Sequence, residues 1–142
     1  MINDVIVTPL KIIDVPGGNV LHALKAEDSG YSGFGEAYFS TVESGAIKAW
    51  KRHRDMILNI VVPVGQIKFV LFDDRSDDKE EFHEIILSKS NYCRLTVPPM
   101  VWMGFQGMSK NTSMLLNIAS IPHDPHEVNR KFEEEIKYNW SI

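Results

Sequence analysis

The sequence predicts an all-β domain, a double-sheet sandwich or barrel, on three observations. Short segments rich in Val, Ile, Phe and Tyr recur along the whole chain. Gly, Pro, Asn and Asp punctuate them at close intervals. Only one stretch, near the C-terminus, carries the signals of a helix. At 142 residues and 44% hydrophobic content, the chain has the size and composition of one domain, residues 1–142, with one core.

The elements follow in order. Residues 5–7, 11–15 and 19–24 read as early strands, broken by Pro9 and by Pro16-Gly17-Gly18. Residues 27–35, EDSGYSGFG, form a glycine-rich loop. Strands are expected over 36–42, 46–53, 56–62 and 66–72, with Val62-Pro63-Val64-Gly65 as a tight turn that places proline second and glycine fourth. The charged run 73–81 reads as a solvated loop, and 82–87, 93–97 and 113–119 as further strands. A short C-terminal helix is expected from Asp124 as cap, Pro125 in the first turn and Glu127 completing a capping box. Val128, Phe132 and Ile136 then fall four apart on one face, with Lys131 away from any site.

Composition narrows the function classes. The net charge of −4 argues against a nucleic-acid binder, which presents a broad basic surface. The single cysteine, Cys93, cannot form an internal disulfide. No apolar run approaches the ~20 residues of a membrane span. The start, MINDVIVTPLK, lacks the pattern of an export leader, so a cytoplasmic location is expected.

Against this acidic background, the stretch from Gly45 to Gly65 gathers Lys48, Lys51, Arg52 and Arg54 around Trp50 and His53. Its spacing resembles the first cupin motif: glycine, five residues, His-x-His, three or four residues, Glu, six residues, Gly. Gly45, Lys51, His53, Leu58 and Gly65 occupy that frame. Pro98, Met100, Met103 and Gly107 give a weaker echo of the second motif. The resemblance implies a small double-sheet β-barrel. The positions that hold an ion in metal-binding cupins are here Lys51, His53, Leu58 and Met103. A protonated lysine and a leucine cannot ligate, and a thioether suits soft metals only, so neither metal nor other cofactor is expected.

Among cupins, the chain is more similar to the metal-independent dTDP-4-dehydrorhamnose 3,5-epimerase (RmlC-like) family. That family's Phe-x-Gln-x-Asn-x-Ser resembles Phe34-Gly-Glu36-Ala-Tyr38-Phe-Ser40, and its Gly-Val-Leu-Arg-Gly-Leu-His resembles Gly45-Ala-Ile-Lys48-Ala-Trp-Lys51. Gly65 to Arg75 and Val97 to Phe105 resemble two further family segments. The resemblance implies a homodimer paired through N-terminal strands and a nucleotide-linked deoxy-ketosugar as ligand. It makes Glu36, Tyr38, Ser40, Lys48 and Arg54 substrate-binding candidates, with Lys48 standing where the family has an arginine for the nucleotide diphosphate. It also exposes departures. The family's general-base histidine falls at Lys51, its catalytic lysine at Leu58 and its tyrosine acid at Leu116. The downstream segment whose aspartate orients the histidine has no counterpart before Ile142. Two-centre epimerisation is therefore expected to be inefficient.

Strand alternation puts Lys51 and His53 inside the barrel with Ala49 and Asp55, and Lys48, Trp50, Arg52 and Arg54 on the other face, subject to a bulge near His53. An inward lysine is costly unless it meets an anion or a wet cavity. Either Lys51 acts as a base beside a ketone, or it pairs with a carboxylate such as Glu36. Lys51 and His53 are the catalytic candidates. Two functions stay open: a nucleotide-sugar epimerase or isomerase of polysaccharide or deoxysugar biosynthesis, and a carbohydrate-binding cupin that does not turn its ligand over.

Overall fold

The computed structural model describes residues 2–141, and nearly all of its regular structure is β. The strands are β1 (Ile6–Pro9), β2 (Ile12–Ile13), β3 (Val20–Leu21), β4 (Glu36–Val42), β5 (Ile47–His53) and β6 (Leu58–Val64). They continue with β7 (Gln66–Ser76), β8 (Lys79–Ser88), β9 (Cys93–Val97), β10 (Trp102–Gly107), β11 (Ser113–Ala119) and β12 (Val128–Arg130). Two five-stranded sheets face each other, ordered β1-β9-β6-β11-β4 and β12-β5-β10-β7-β8, beside a small β2-β3 hairpin. All strand pairing is antiparallel. This is the double-sheet architecture expected from the spacing of short apolar segments. No helix of the described residues is long and apolar enough to cross a membrane.

The core lies between the sheets. Ile60, Leu95, Ile67, Phe69 and Leu71 are fully buried there, each on the inward parity of its strand. Truncating Phe69 to alanine removes a whole ring from this layer, a change that costs about 3–5 kcal/mol. A second cluster forms on the outer face of the β5-β10-β7 sheet, where Trp50, Val70, Phe72 and Trp102 are covered by Ile136 and Trp140 of the C-terminal tail. The indole of Trp50 donates to the carbonyl of Glu133 at 3.0 Å, and its backbone exchanges two hydrogen bonds with Lys131. The tail thereby fixes the outside of the strand whose inside carries His53.

Four expectations change. The charged run 73–81 is the tip of the long β7-β8 hairpin, with Asp73 opposite Glu81, because a solvated strand face and a solvated loop carry the same charge density. Strand β10 escaped detection because both its faces are covered, which erases the polar-apolar alternation. The tight turn shrinks to Gly65 alone, since β6 continues through Pro63 to Val64. Gly65 has φ of 80°, and a Cβ there would lie 2.2 Å from Ser113 Oγ, so only glycine turns this corner between sheets. The C-terminal helix takes the form of two single-turn 3₁₀ segments, Pro125–Glu127 and Glu133–Glu135, on either side of β12. Asp124 does cap the first, accepting from the His126 N–H at 2.9 Å. The helix stops there because Val128–Arg130 pairs with Lys51–His53, and sheet hydrogen bonds replace helical ones.

Candidate active site

A cavity of about 380 Å³ opens between the two sheets. One wall is β5, β10 and the end of β12, which bring Lys48, Lys51, His53, Met103, Phe105 and Arg130. The facing wall is β4, β6 and β11, which bring Tyr38, Ser40, Leu58, Ile60, Leu115 and Asn117.

Lys48 and Lys51 share the cavity although they differ by an odd number of residues. Met103 and Phe105, two apart on β10, stand opposite Lys51 and Lys48, three apart on β5. The extra residue is a β-bulge, and it restores Lys48 to the inner face. Ala49 and Trp50 absorb the offset by packing on the outer cluster. The alternation-based placement of Lys48 outside and Ala49 inside is corrected accordingly; the bulge lies at Ala49–Trp50 and not at His53. Lys48 sits at the rim, its Nζ donating to the Thr41 carbonyl at 2.8 Å.

His53 is the buried centre of the charged wall, 6% exposed. Its Nδ1 hydrogen-bonds the Glu127 carboxylate at Oε1. The other oxygen, Oε2, accepts from the N–H groups of Asp55 at 3.1 Å and Met56 at 3.2 Å. Glu127 is thus anchored by three donors. Burial opposes its ionisation, but the bonds from His53, Asp55 and Met56 outweigh that and hold its carboxyl below the usual range. A carboxylate on Nδ1 selects the tautomer with hydrogen on Nδ1 and a lone pair on Nε2. Nε2 is buried and has no protein partner among the described residues, and His53 is one of the residues that line the cavity. Burial pushes the imidazole below its ordinary value; Glu127 opposes this, while Lys51 and Arg130 reinforce it. The resulting group is a neutral imidazole whose basic nitrogen is not engaged by the protein among the described residues.

Lys51 is half-buried beside it, and burial lowers its ammonium pKa, with Arg130 and Lys48 adding to the effect and Glu127 opposing it. On the opposite wall the Tyr38 hydroxyl accepts from Asn117 Nδ2 at 2.9 Å, and Asn117 Oδ1 is buried without a protein partner among the described residues. The cavity therefore presents a base and cations on one side and a phenol on the other.

Of the seven site residues expected from sequence, the structure brings together Lys51, His53, Lys48, Tyr38 and Ser40. Glu36 and Arg54 stand apart. Glu36 lies at the start of β4 opposite Ala119, outside the cavity lining, so it is not the partner of Lys51. Arg54 is exposed and its guanidinium donates to the His126 carbonyl. Leu116, the position of the resembled family's acid, faces out of the cavity; Leu115 and Asn117 face in, by the alternation of β11. Sequence reasoning missed Glu127, Arg130 and Asn117. The sequence signal at Glu127 is ambiguous, since the same Asp-x-x-Glu spacing serves a capping box and a buried carboxylate. Lys131 touches the lining, but its ammonium sits 5.1 Å from the centroid of the Trp102 ring on the outer cluster. Among the described residues no three of His, Cys, Asp and Glu gather as a metal-holding group.

Comparison with known proteins follows the same lines. A family model described as "FdtA: WxcM-like, C-terminal" matches residues 30–140. The chain is similar to a dTDP sugar isomerase from Desulfovibrio desulfuricans G20, with 35% identity and a TM-score of 0.92 over 98% of this chain and 92% of the other. It is 27% identical to a probable low-salt glycan biosynthesis epimerase of Haloferax volcanii over 97% of this chain and 89% of that one. The sugar 3,4-ketoisomerase QdtA of Thermoanaerobacterium thermosaccharolyticum, solved in complex with TDP, shares the fold with a TM-score of 0.75 at 20% identity, covering 94% of this chain and 93% of its own.

Proposed function

Because the chain belongs to the FdtA family, WxcM-like C-terminal, we propose that it is a dTDP-sugar epimerase or isomerase acting on a 4-keto-6-deoxyhexose in polysaccharide or deoxysugar biosynthesis. The single observation that carries this reading is the Nε2 of His53, without a protein partner among the described residues, on an imidazole that burial keeps neutral and that its bond to Glu127 orients beside a ligand-sized cavity. A ketone at C4 acidifies the C–H bonds at C3 and C5. His53 Nε2 removes one such proton, the electrons move toward the ketone, and Lys51 acts at that same carbonyl. Tyr38, on the opposite wall, is placed to return a proton to the other face of the ring, with Asn117 holding its hydroxyl. Ser40 contacts the sugar, and Lys48 at the rim takes the diphosphate together with Arg130. Neither metal nor organic cofactor enters these steps. The protein acts as one cupin domain, a homodimer, in the cytoplasm.

The names and substrates of the relatives support the nucleotide sugar as ligand; the cavity supports proton transfer over mere binding. A thermal-shift series with dTDP and dTDP-4-keto-6-deoxyglucose tests the ligand, since binding to the native state alone raises Tm. NMR in deuterated water then tests the chemistry, with exchange at C3 or C5 expected. Binding without exchange at either carbon would leave a non-catalytic carbohydrate-binding cupin. Light scattering reports the dimer.

A further inference from the structure

We infer that Lys51 works covalently: its amine condenses with the sugar ketone, and the resulting iminium acidifies the neighbouring C–H for His53. The inference rests on the ketosugar reading above and selects epimerisation within it.

Four features of the wall point this way. Lys51 faces the cavity from a fixed strand position opposite Met103, not from a loop. Lys51 is half-buried, and the cavity it faces is lined in part by Leu58, Ile60, Met103 and Phe105, which offer an ammonium no solvation. Two other cations, Arg130 and Lys48, share the cavity, so a third positive charge is disfavoured. The one carboxylate at hand is already engaged: Glu127 Oε1 holds His53, and Oε2 holds two backbone N–H groups. Among the described residues the Lys51 side chain makes no ion pair or hydrogen bond. Desolvation, neighbouring cations and the lack of a carboxylate of its own all shift a lysine toward the amine, the nucleophilic form used in Schiff-base catalysis. The base needed for the next step stands two residues along the same strand on the same face.

The step balances without any redox partner. Lys51 Nζ adds to C4, and the C4–O bond breaks. The oxygen leaves as water with one amine hydrogen and one proton from solvent. Nitrogen keeps its other hydrogen and the positive charge. His53 Nε2 then takes the proton from the adjacent carbon, and the C–H electrons form the enamine, neutralising the nitrogen. Reprotonation at carbon from the opposite wall inverts that centre, and water releases the ketone. Since C4 remains bonded to nitrogen throughout, its oxygen never becomes a hydroxyl, and the product is an epimer.

The protein is incubated with dTDP-4-keto-6-deoxyglucose and sodium cyanoborohydride, which reduces iminium ions to stable secondary amines, and peptides are read by mass spectrometry. The dTDP thermal shift is measured in parallel on wild type and Lys51→Arg. The expected result is an adduct on Lys51, lost in Lys51→Arg together with C–H exchange, while the thermal shift survives in both. A thermal shift with no adduct, or with the adduct on another lysine, overturns the covalent role and leaves the proposed function standing. Wild-type exchange in Lys51→Arg overturns it equally, because arginine keeps the charge and cannot form the iminium. Neither shift nor adduct overturns both readings.

Discussion

The wall formed by β5 and β12 and the wall formed by β4 and β11 enclose the same cavity with opposite chemistry. The first is built from groups that are charged or chargeable, and it is braced from behind: Trp50 and Trp102 pack under the C-terminal tail, and Glu127 grips His53. The second offers a phenol, an amide and aliphatic side chains, and its outermost strand, β4, is an edge with Tyr38 36% exposed. Rigidity is thus invested around the proposed base, which must be held within hydrogen-bond reach of its carbon. The opposite wall needs only to hold the ring and return a proton.

Replacing the base should produce the largest effect. His53→Asn keeps a polar side chain of similar size but has no titrating nitrogen, and exchange at C3 and C5 should fall by about 10²–10⁴-fold. The dTDP thermal shift should persist, because the proposed phosphate contact, Lys48, lies at the rim. A loss below tenfold would move the base to another residue and undo the contrast between walls.

The opposite wall gives a sharper test. Tyr38→Phe removes only the hydroxyl. If Tyr38 returns the proton from the second face, the variant should still exchange the C–H for deuterium through His53 while inversion at that carbon slows by about 10²-fold. Equal losses of exchange and inversion would show that Tyr38 does not work from the side opposite His53. The expectation of inefficient two-centre epimerisation was drawn from Leu116, yet Leu116 faces away from the cavity and Tyr38 faces into it. The proposed acid is therefore Tyr38, on a different strand from the one the family frame singled out.

That displacement illustrates what the sequence could and could not carry. The paired sheets were legible because alternation and turn residues are local signals, and the first motif led to β5 because glycines bracket it at fixed spacing. The inward lysine and histidine were legible for the same reason. Lys48 was not, since a one-residue bulge reverses parity and leaves no compositional mark. Glu127 was not, because its significance lies in a contact with a residue 74 positions away. An orienting carboxylate was expected only from a downstream segment, whereas β12 folds back along β5 and delivers one from the turn just before it. Arg54 was over-read: charge at the right place in sequence pointed to phosphate, but the side chain leaves the strand end and bonds the His126 carbonyl.

The rim cations rank next. Lys48→Ala should weaken dTDP-sugar binding by roughly tenfold, the worth of one charge-assisted contact of about 1.5 kcal/mol. Arg54→Ala and Lys131→Ala should leave affinity within twofold, since Arg54 is turned toward His126 and the Lys131 ammonium lies over Trp102. Titration calorimetry at two salt concentrations would read all three. An equal loss in all three would mean that diffuse positive charge, not a placed lysine, attracts the nucleotide.

The smallest effect is on stability, and it isolates the brace behind the charged wall. Glu127 has a folded-state pKa below its ordinary 4.5, so its contribution is present above 4.5 and is lost as pH falls through the lower folded value. His53 has a folded-state pKa below its ordinary 6.5, through burial against the opposing pull of Glu127. The unfolded chain therefore takes up that proton first, and stability also declines as pH drops below 6.5 toward the folded value. Both groups make the fold weaker in acid. Glu127→Gln removes the carboxylate part but keeps an acceptor for Nδ1–H, so its Tm should be lower than wild type at neutral pH by about 2–4 °C, equivalent to on the order of 1 kcal/mol. The gap should narrow below pH 4.5, where wild type loses the same charge by protonation. The variant should also carry its activity to lower pH, because His53 without its counter-charge is harder to protonate. Scanning calorimetry from neutral to acid pH, with exchange rates over the same range, would check both. Parallel Tm curves for the two proteins would mean that Glu127 fills space in the turn without bracing His53 through its charge.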